Sequence, residues 1–238
     1  MTYCIGINLK SGILALSDTR ITSGSETTVA RKYKIYTSGD HQFFLMTSGL
    51  RSVRDKTLTY FAEVFEKKNK KYNRLYEAVN DLGNQIKKVA DEDKRTLTES
   101  GLEFNINAII GGKLAGDTKH RLYLLYPQGN WIEVGKAQPF TIIGNSGFGT
   151  PVLRRTLTYE STIRFALKTA FLSFDSTRVS ANDVGYPIDV MVFNPEDNKI
   201  NVTRYEEKDL RSISAFWGNK LIEAVHDVPE DWMDGFVS

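Results

Sequence analysis

The 238 residues are 41% hydrophobic, 25% charged and 11% aromatic, enough apolar side chain for the core of an ordinary globular domain and too much for a disordered chain. Thirty-one Lys and Arg against 29 Asp and Glu leave a net charge of +2 with no long block of either sign, which argues against nucleic acid and an anionic membrane as partners. No apolar run approaches the roughly 18 residues of a membrane span, and Met1-Thr2-Tyr3-Cys4-Ile5-Gly6 lacks the basic and apolar segments of a signal peptide, so a cytoplasmic protein is expected.

From Tyr3 the apolar Tyr3, Ile5, Ile7 and Leu9 alternate with Cys4, Gly6 and Asn8, the period of a strand. Lys10-Ser11-Gly12 reads as a turn and Ile13 to Ser17 as the returning strand, so 2–18 is a predicted hairpin. Ser23-Gly24-Ser25 is a predicted loop, followed by strands over Val29 to Tyr36 and Phe43 to Thr47. After Ser48-Gly49 the spacing becomes helical. Leu58, Phe61 and Phe65 share one side of a first helix that ends in Lys67, Lys68, Lys70 and Lys71, and Leu75, Val79, Leu82, Ile86 and Val89 mark a second. Alternation returns at Phe104 to Ile109, Arg121 to Tyr126, Trp131 to Val134 and Phe140 to Ile143. A helix over Glu160 to Phe174, strands over Tyr186 to Phe193 and Lys199 to Arg204, and a helix near Leu210 to Val225 complete the chain, ahead of an acidic, aromatic tail. Hairpins without regular strand–helix alternation predict an α+β protein with largely antiparallel sheets. No linker rich in Pro, Gly or Ser divides it, so residues 1–238 are expected to form a single domain.

The usual catalytic devices are missing. Cys4 is the sole cysteine, and the histidines at 41, 120 and 226 stand far apart, so neither a metal nor a cofactor is expected. The glycines of Gly111-Gly112 and Gly144-Asn145-Ser146-Gly147-Phe148-Gly149 lack the Lys-Ser/Thr ending of a phosphate loop, and no Gly-x-Ser-x-Gly elbow marks a serine nucleophile.

Thr2 offers a different chemistry. With only Met1 ahead of it, removal of that methionine would leave a hydroxyl and a free α-amine on one residue, a nucleophile with its own base of pKa about 8. Asp18 ends the returning strand of the hairpin, where antiparallel pairing brings it back near residue 2 and where a carboxylate can hold a cation. Lys32 lies on the next strand, and an ammonium packed near Thr2 would lower the proton affinity of amine or hydroxyl. Lys34 shares its face by alternation. Singly, each charge reads as a solvated surface group; together they form a constellation.

Thr2 at a strand start, the Gly12 to Arg20 stretch with Ser17-Asp18-Thr19-Arg20, Lys32, and Met46-Thr47-Ser48-Gly49 before a helix resemble the proteasome β-subunit superfamily of N-terminal nucleophile hydrolases. The late Asp183-Val184-Gly185-Tyr186-Pro187-Ile188-Asp189 adds to the likeness, which covers essentially the whole chain. The resemblance implies a four-layer α-β-β-α sandwich and a threonine-type peptidase or amidase. It implies Thr2 as nucleophile, Asp18 as the carboxylate that orients Lys32, and Gly49 as the oxyanion-hole amide; family spacing favours Lys32 over Lys34. Ser146 matches the serine that supports the threonine amine. The family's Asp-x-x-Ser-Gly is not met, since no serine directly precedes Gly185, and Asp183 or Ser180 is left for that supporting role. The implied partners are a peptide or protein substrate and further copies of the chain, in a closed ring or an open helix, with Trp217 and the Trp232-Met233-Asp234-Gly235-Phe236 tail as candidate contact surfaces. A scaffold with little general proteolysis is the alternative; Lys32→Ala would leave its cellular role unchanged.

Overall fold

In the computed structural model the chain is described over residues 2–23, 26–68 and 71–235. Of the residues named above, Met1, Gly24, Ser25, Lys70 and Phe236 lie outside that set.

Strands β1 (Tyr3–Leu9) and β2 (Gly12–Asp18) sit at the centre because neither has a solvent face: every residue of both is buried. The alternation along β1 separates two buried faces. Tyr3 stacks edge-on against Phe174 of a helix on one side, whereas Cys4 joins Phe44, Met46 and Ile109 in a core on the other. β1 and β2 pair antiparallel with Cys4 opposite Ser17. They form the middle of a five-stranded sheet completed by β10 (Phe140–Gly144) beside β1 and β11 (Ile188–Asn194) with β12 (Lys199–Tyr205) beside β2. A second antiparallel sheet runs in chain order through β5 (Tyr33–Ser38), β6 (His41–Gly49), β7 (Ile106–Gly112), β8 (Arg121–Leu125) and β9 (Trp131–Glu133).

Helices cover both outer faces. α1 (Arg51–Lys67) buries Val53, Thr57, Phe61 and Phe65, a stripe at intervals of four residues. α2 (Leu75–Glu99) buries the predicted Leu75, Val79, Leu82, Ile86 and Val89. With Phe43, Leu45 and Ile110 of the second sheet these make a core of their own, each large apolar side chain contributing about 1.5–3 kcal/mol by leaving water. α4 (Ile163–Arg178) packs on β1 and β2, and the short α3 (Thr150–Thr156) packs on α4. The result is the α-β-β-α sandwich, an α+β fold with antiparallel sheets.

Two local readings are corrected. The single strand expected over Val29 to Tyr36 is divided: Val29 ends β4 (Glu26–Val29), which forms a separate ribbon with β3 (Arg20–Ser23), and β5 begins only at Tyr33. Residues 30–32 cross between them, held by the Ala30 amide on the Thr19 carbonyl at 2.9 Å and the Thr47 amide on the Lys32 carbonyl at 3.2 Å. α3 was not expected, because a seven-residue helix that buries only Leu153 carries no periodic signal. Contacts divide the chain at Tyr205: the sandwich ends there, and Glu206 onward forms a second compact unit. That unit consists of α5 (Glu207–His226), opened by a reciprocal Glu206/Asp209 capping box, and a single 3-10 turn over Asp231–Met233.

Candidate active site

Thr2 directly precedes β1 and is 9% exposed. Its carbonyl accepts the Asn145 amide at 2.8 Å. Gly144, at φ +88°, lies so close that a Cβ there would fall 1.9 Å from the same carbonyl, so both conformation and space restrict that position to glycine. The next residue is fixed from below: the Tyr3 hydroxyl and Ser173 Oγ on α4 are 2.6 Å apart. Burial pushes the Tyr3 phenol well above its ordinary pKa, against the pull of that hydrogen bond.

The β1–β2 register returns the chain to its start, as expected of the hairpin. The Tyr3 amide donates to Asp18 Oδ1 at 2.8 Å, and Lys32 Nζ donates to the same oxygen at 2.6 Å. Lys32 and Asp18 side chains are 2% and 0% exposed. Lys34, by contrast, is exposed; the chain turns into β5 only after Lys32, so simple alternation does not relate the two lysines. Asp18 Oδ2 has no hydrogen-bond partner among the described residues. Burial, the largest influence, holds the Asp18 carboxyl above the usual carboxylate range, while Lys32, the Tyr3 amide and the Gly185 amide pull it down. Cys4, one residue from this cluster's amide, is a free, fully buried thiol raised by burial, which makes it unreactive.

Gly49 ends β6 at φ +122°, where a Cβ would fall 2.2 Å from the Asn105 carbonyl. Its neighbour Leu50 opens α1, whose first turn has neither an acidic residue nor a side-chain cap, leaving the positive end of the helix unopposed by either. Ser146 is exposed, and its carbonyl accepts the Thr150 hydroxyl at 2.5 Å. Asp183 is half-buried between α4 and β11. Ser180 is exposed and its hydroxyl is bonded back to the Ser176 carbonyl at 3.0 Å, the local bond of a helix end. The structure therefore joins Asp18, Lys32 and the Thr2–Tyr3 peptide through hydrogen bonds, and does not join Ser180 to them.

Three contributors went unread in the sequence. Gly144 and Asn145 clamp Thr2, although the glycine at a strand end was a signal. Arg20 donates to the Asn182 carbonyl at 2.8 Å and packs so closely on Gly185 that a Cβ there would fall 2.9 Å from its guanidinium carbon, so it braces the loop that carries Asp183. Among the described residues no cluster of His, Cys, Asp and Glu is suited to a metal ion.

The family model for proteasome subunits matches residues 2–192. The chain belongs to the proteasome family. Among solved proteasome-family structures it is similar to Anbu, the ancestral beta-subunit, from Yersinia bercovieri, at 28% identity and TM-score 0.84 over 96% of this chain and 98% of that one. Similar too are a Gly-1 mutant of Anbu from Hyphomicrobium sp. strain MC1, at 26% identity and TM-score 0.87 over 97% and 99%, and the Anbu complex from Pseudomonas aeruginosa, described as a helical assembly, at 26% and 0.87 over 96% and 97%. No curated protein matches the chain in sequence. Proteasome-family membership and the observed layers agree: strands at the centre, helices outside, Thr2 at the start of an inner strand.

Proposed function

We propose that this chain is a proteasome-like N-terminal threonine hydrolase that cleaves peptide or amide bonds through an acyl ester on Thr2. The observation that carries this reading is the single carboxylate oxygen of Asp18 that holds both the Tyr3 amide and Lys32. Through that oxygen the buried Lys32 ammonium is tied to the amide that follows the residue whose hydroxyl would react. Removal of Met1 frees the Thr2 α-amine. The amine takes the hydroxyl proton as Oγ attacks the carbonyl, and the Gly49 amide at the positive end of α1 stabilises the oxyanion. The tetrahedral centre collapses as the leaving amine takes the proton. Water then attacks the ester, with the α-amine as base, to release the acid and restore Thr2. Lys32 keeps the α-amine's proton affinity low by like-charge repulsion. Ser146 and Asp183 support the amine, Ser146 from the loop that carries Asn145.

Self-association accompanies the reading. α5 has no buried residue, and Phe216, Ile222 and Val225 on it are 61%, 60% and 71% exposed, apolar side chains that further copies of the chain would cover. The helical assembly named for the similar Anbu complex supports an open helix over a closed ring. A cytoplasmic site of action fits, and no helix among the described residues is long and apolar enough to cross a membrane.

The intact mass of the purified chain with and without a β-lactone tests the chemistry. The expected result is loss of Met1 and one added lactone, abolished by Thr2→Ala with assembly retained. Labelling that survives Thr2→Ala sinks the hydrolase reading; a chain that starts at Thr2 and does not label favours a scaffold.

A further inference from the structure

A cavity of about 290 Å³ is lined by the proposed catalytic lysine, Lys32, and by Thr47. The Thr47 amide holds the Lys32 carbonyl at 3.2 Å. Leu45, Thr47 and Gly49 alternate along β6, so they fall on one face of the sheet. Leu45 and Thr47 line the cavity, and Gly49 follows two residues later. A substrate carbonyl held at the Gly49 amide therefore has the side chain on its acyl side within reach of this space.

The charges around the cavity are unequal. Arg31, Lys34 and Arg54 line it along with one carboxylate, Asp55; Lys32 is already engaged by Asp18 at 2.6 Å. Arg54 is the most enclosed of these cations, its side chain 16% exposed. Its Nε and Nη2 both donate to Asp55 Oδ1, at 3.0 and 2.8 Å, which leaves Nη1 outside that contact. Asp55 is itself 54% exposed and shared with Arg51, 3.5 Å away. One solvated carboxylate thus faces three lining cations, while Leu45 and Leu58 supply apolar wall.

We propose that this cavity receives the side chain on the acyl side of the scissile bond and selects an acidic one, with Arg54 as the specificity-determining residue. A glutamate fits both parts of the lining: its methylenes lie on the leucines, and its carboxylate takes a charge-assisted bond from the guanidinium, the strongest class of polar contact open to it. The preference rests on the reading of Thr2 as nucleophile for its catalytic meaning, but binding in the cavity does not need the nucleophile.

The experiment uses Thr2→Ala, which cannot react. Binding of dye-labelled pentapeptide amides ending in glutamate, glutamine or lysine is measured by fluorescence anisotropy at low ionic strength. Glutamate is expected to bind at least ten times more tightly than its neutral isostere glutamine, with lysine weakest, and Arg54→Gln to bring glutamate and glutamine within about twofold. Equal binding of glutamate and glutamine, a preference for lysine, or a glutamate preference unchanged in Arg54→Gln overturns the assignment. The unaltered chain is treated in parallel with a small β-lactone that bears no such side chain. If glutamate is preferred but the lactone fails to label a chain starting at Thr2, the cavity assignment stands and the hydrolase reading falls.

Discussion

Two buried aspartates on neighbouring strands show how differently one residue type is used. Asp18 ends β2 and Asp189 lies in β11, with Ile188 opposite Asp18 and Asp189 opposite Ser17. They are adjacent positions on opposite faces of one sheet, 0% and 1% exposed. Asp189 is paired on both oxygens: Arg204, its register partner on β12, donates Nε to Oδ1 at 2.7 Å and Nη2 to Oδ2 at 2.8 Å. Asp18 takes two donors on one oxygen, and its other oxygen has no hydrogen-bond partner among the described residues. The paired fork closes a hairpin. The Asp18 carboxylate instead ties distant chain segments together, with Lys32, the Tyr3 amide and the Gly185 amide all drawing on it.

The largest contrast is chemical. Asp18→Asn removes the charge that orients Lys32, and the rate at which a β-lactone labels Thr2 is expected to fall by a factor of about 100, within the range of a lost electrostatic partner. Asp189→Asn is expected to leave that rate within a few fold. Equal losses in the two variants, measured by time-resolved intact mass, would erase the distinction between them. The second contrast is thermodynamic. Arg204→Ala leaves Asp189 buried without its fork, and the expected loss is about 2 kcal/mol. This lies below the full penalty for a broken buried pair because the Arg204 side chain is 37% exposed. A urea midpoint unchanged by Arg204→Ala would show that the pair carries no structural weight.

The legibility of these features in the sequence follows from how local each one is. The hairpin and the return of Asp18 to the chain start could be counted, because an antiparallel register depends only on the turn between two short strands. The choice between Lys32 and Lys34 could not be made by alternation. The strand expected through both breaks at 30–32, and family spacing, not periodicity, pointed to Lys32. α2 was plain because one face repeats without interruption, though it runs on to Glu99 through a polar stretch with no such signal. The clamp on Thr2 by Gly144 and Asn145 joins residues far apart in the chain, and only the pairing of β1 with β10 brings them together. The family resemblance pointed to Ser146 in the same loop, and the backbone contact to the Thr2 carbonyl is made by its neighbour Asn145.

The smallest expected effect is in pH dependence, and its sign separates function from stability at Asp18. Burial raises the Asp18 carboxyl in the fold above its unfolded value of about 3.9. The folded chain therefore binds this proton more readily than the unfolded one. The group's contribution to stability is full below the unfolded value and is lost as pH rises through the raised one. Reactivity runs the other way, because Lys32 is oriented only by the ionised carboxylate. Below the pKa of the Thr2 amine, the logarithm of the labelling rate should fall with a slope of one as pH drops, since only the free amine accepts the hydroxyl proton. Below the raised Asp18 value a second proton acts and the slope should steepen to two. Asp18→Asn, although slower throughout, should keep a slope of one. A profile of slope one across the whole acid range in the unaltered chain would mean that the charge on Asp18 plays no part in the reaction, and that its buried carboxylate serves the fold as Asp189 does.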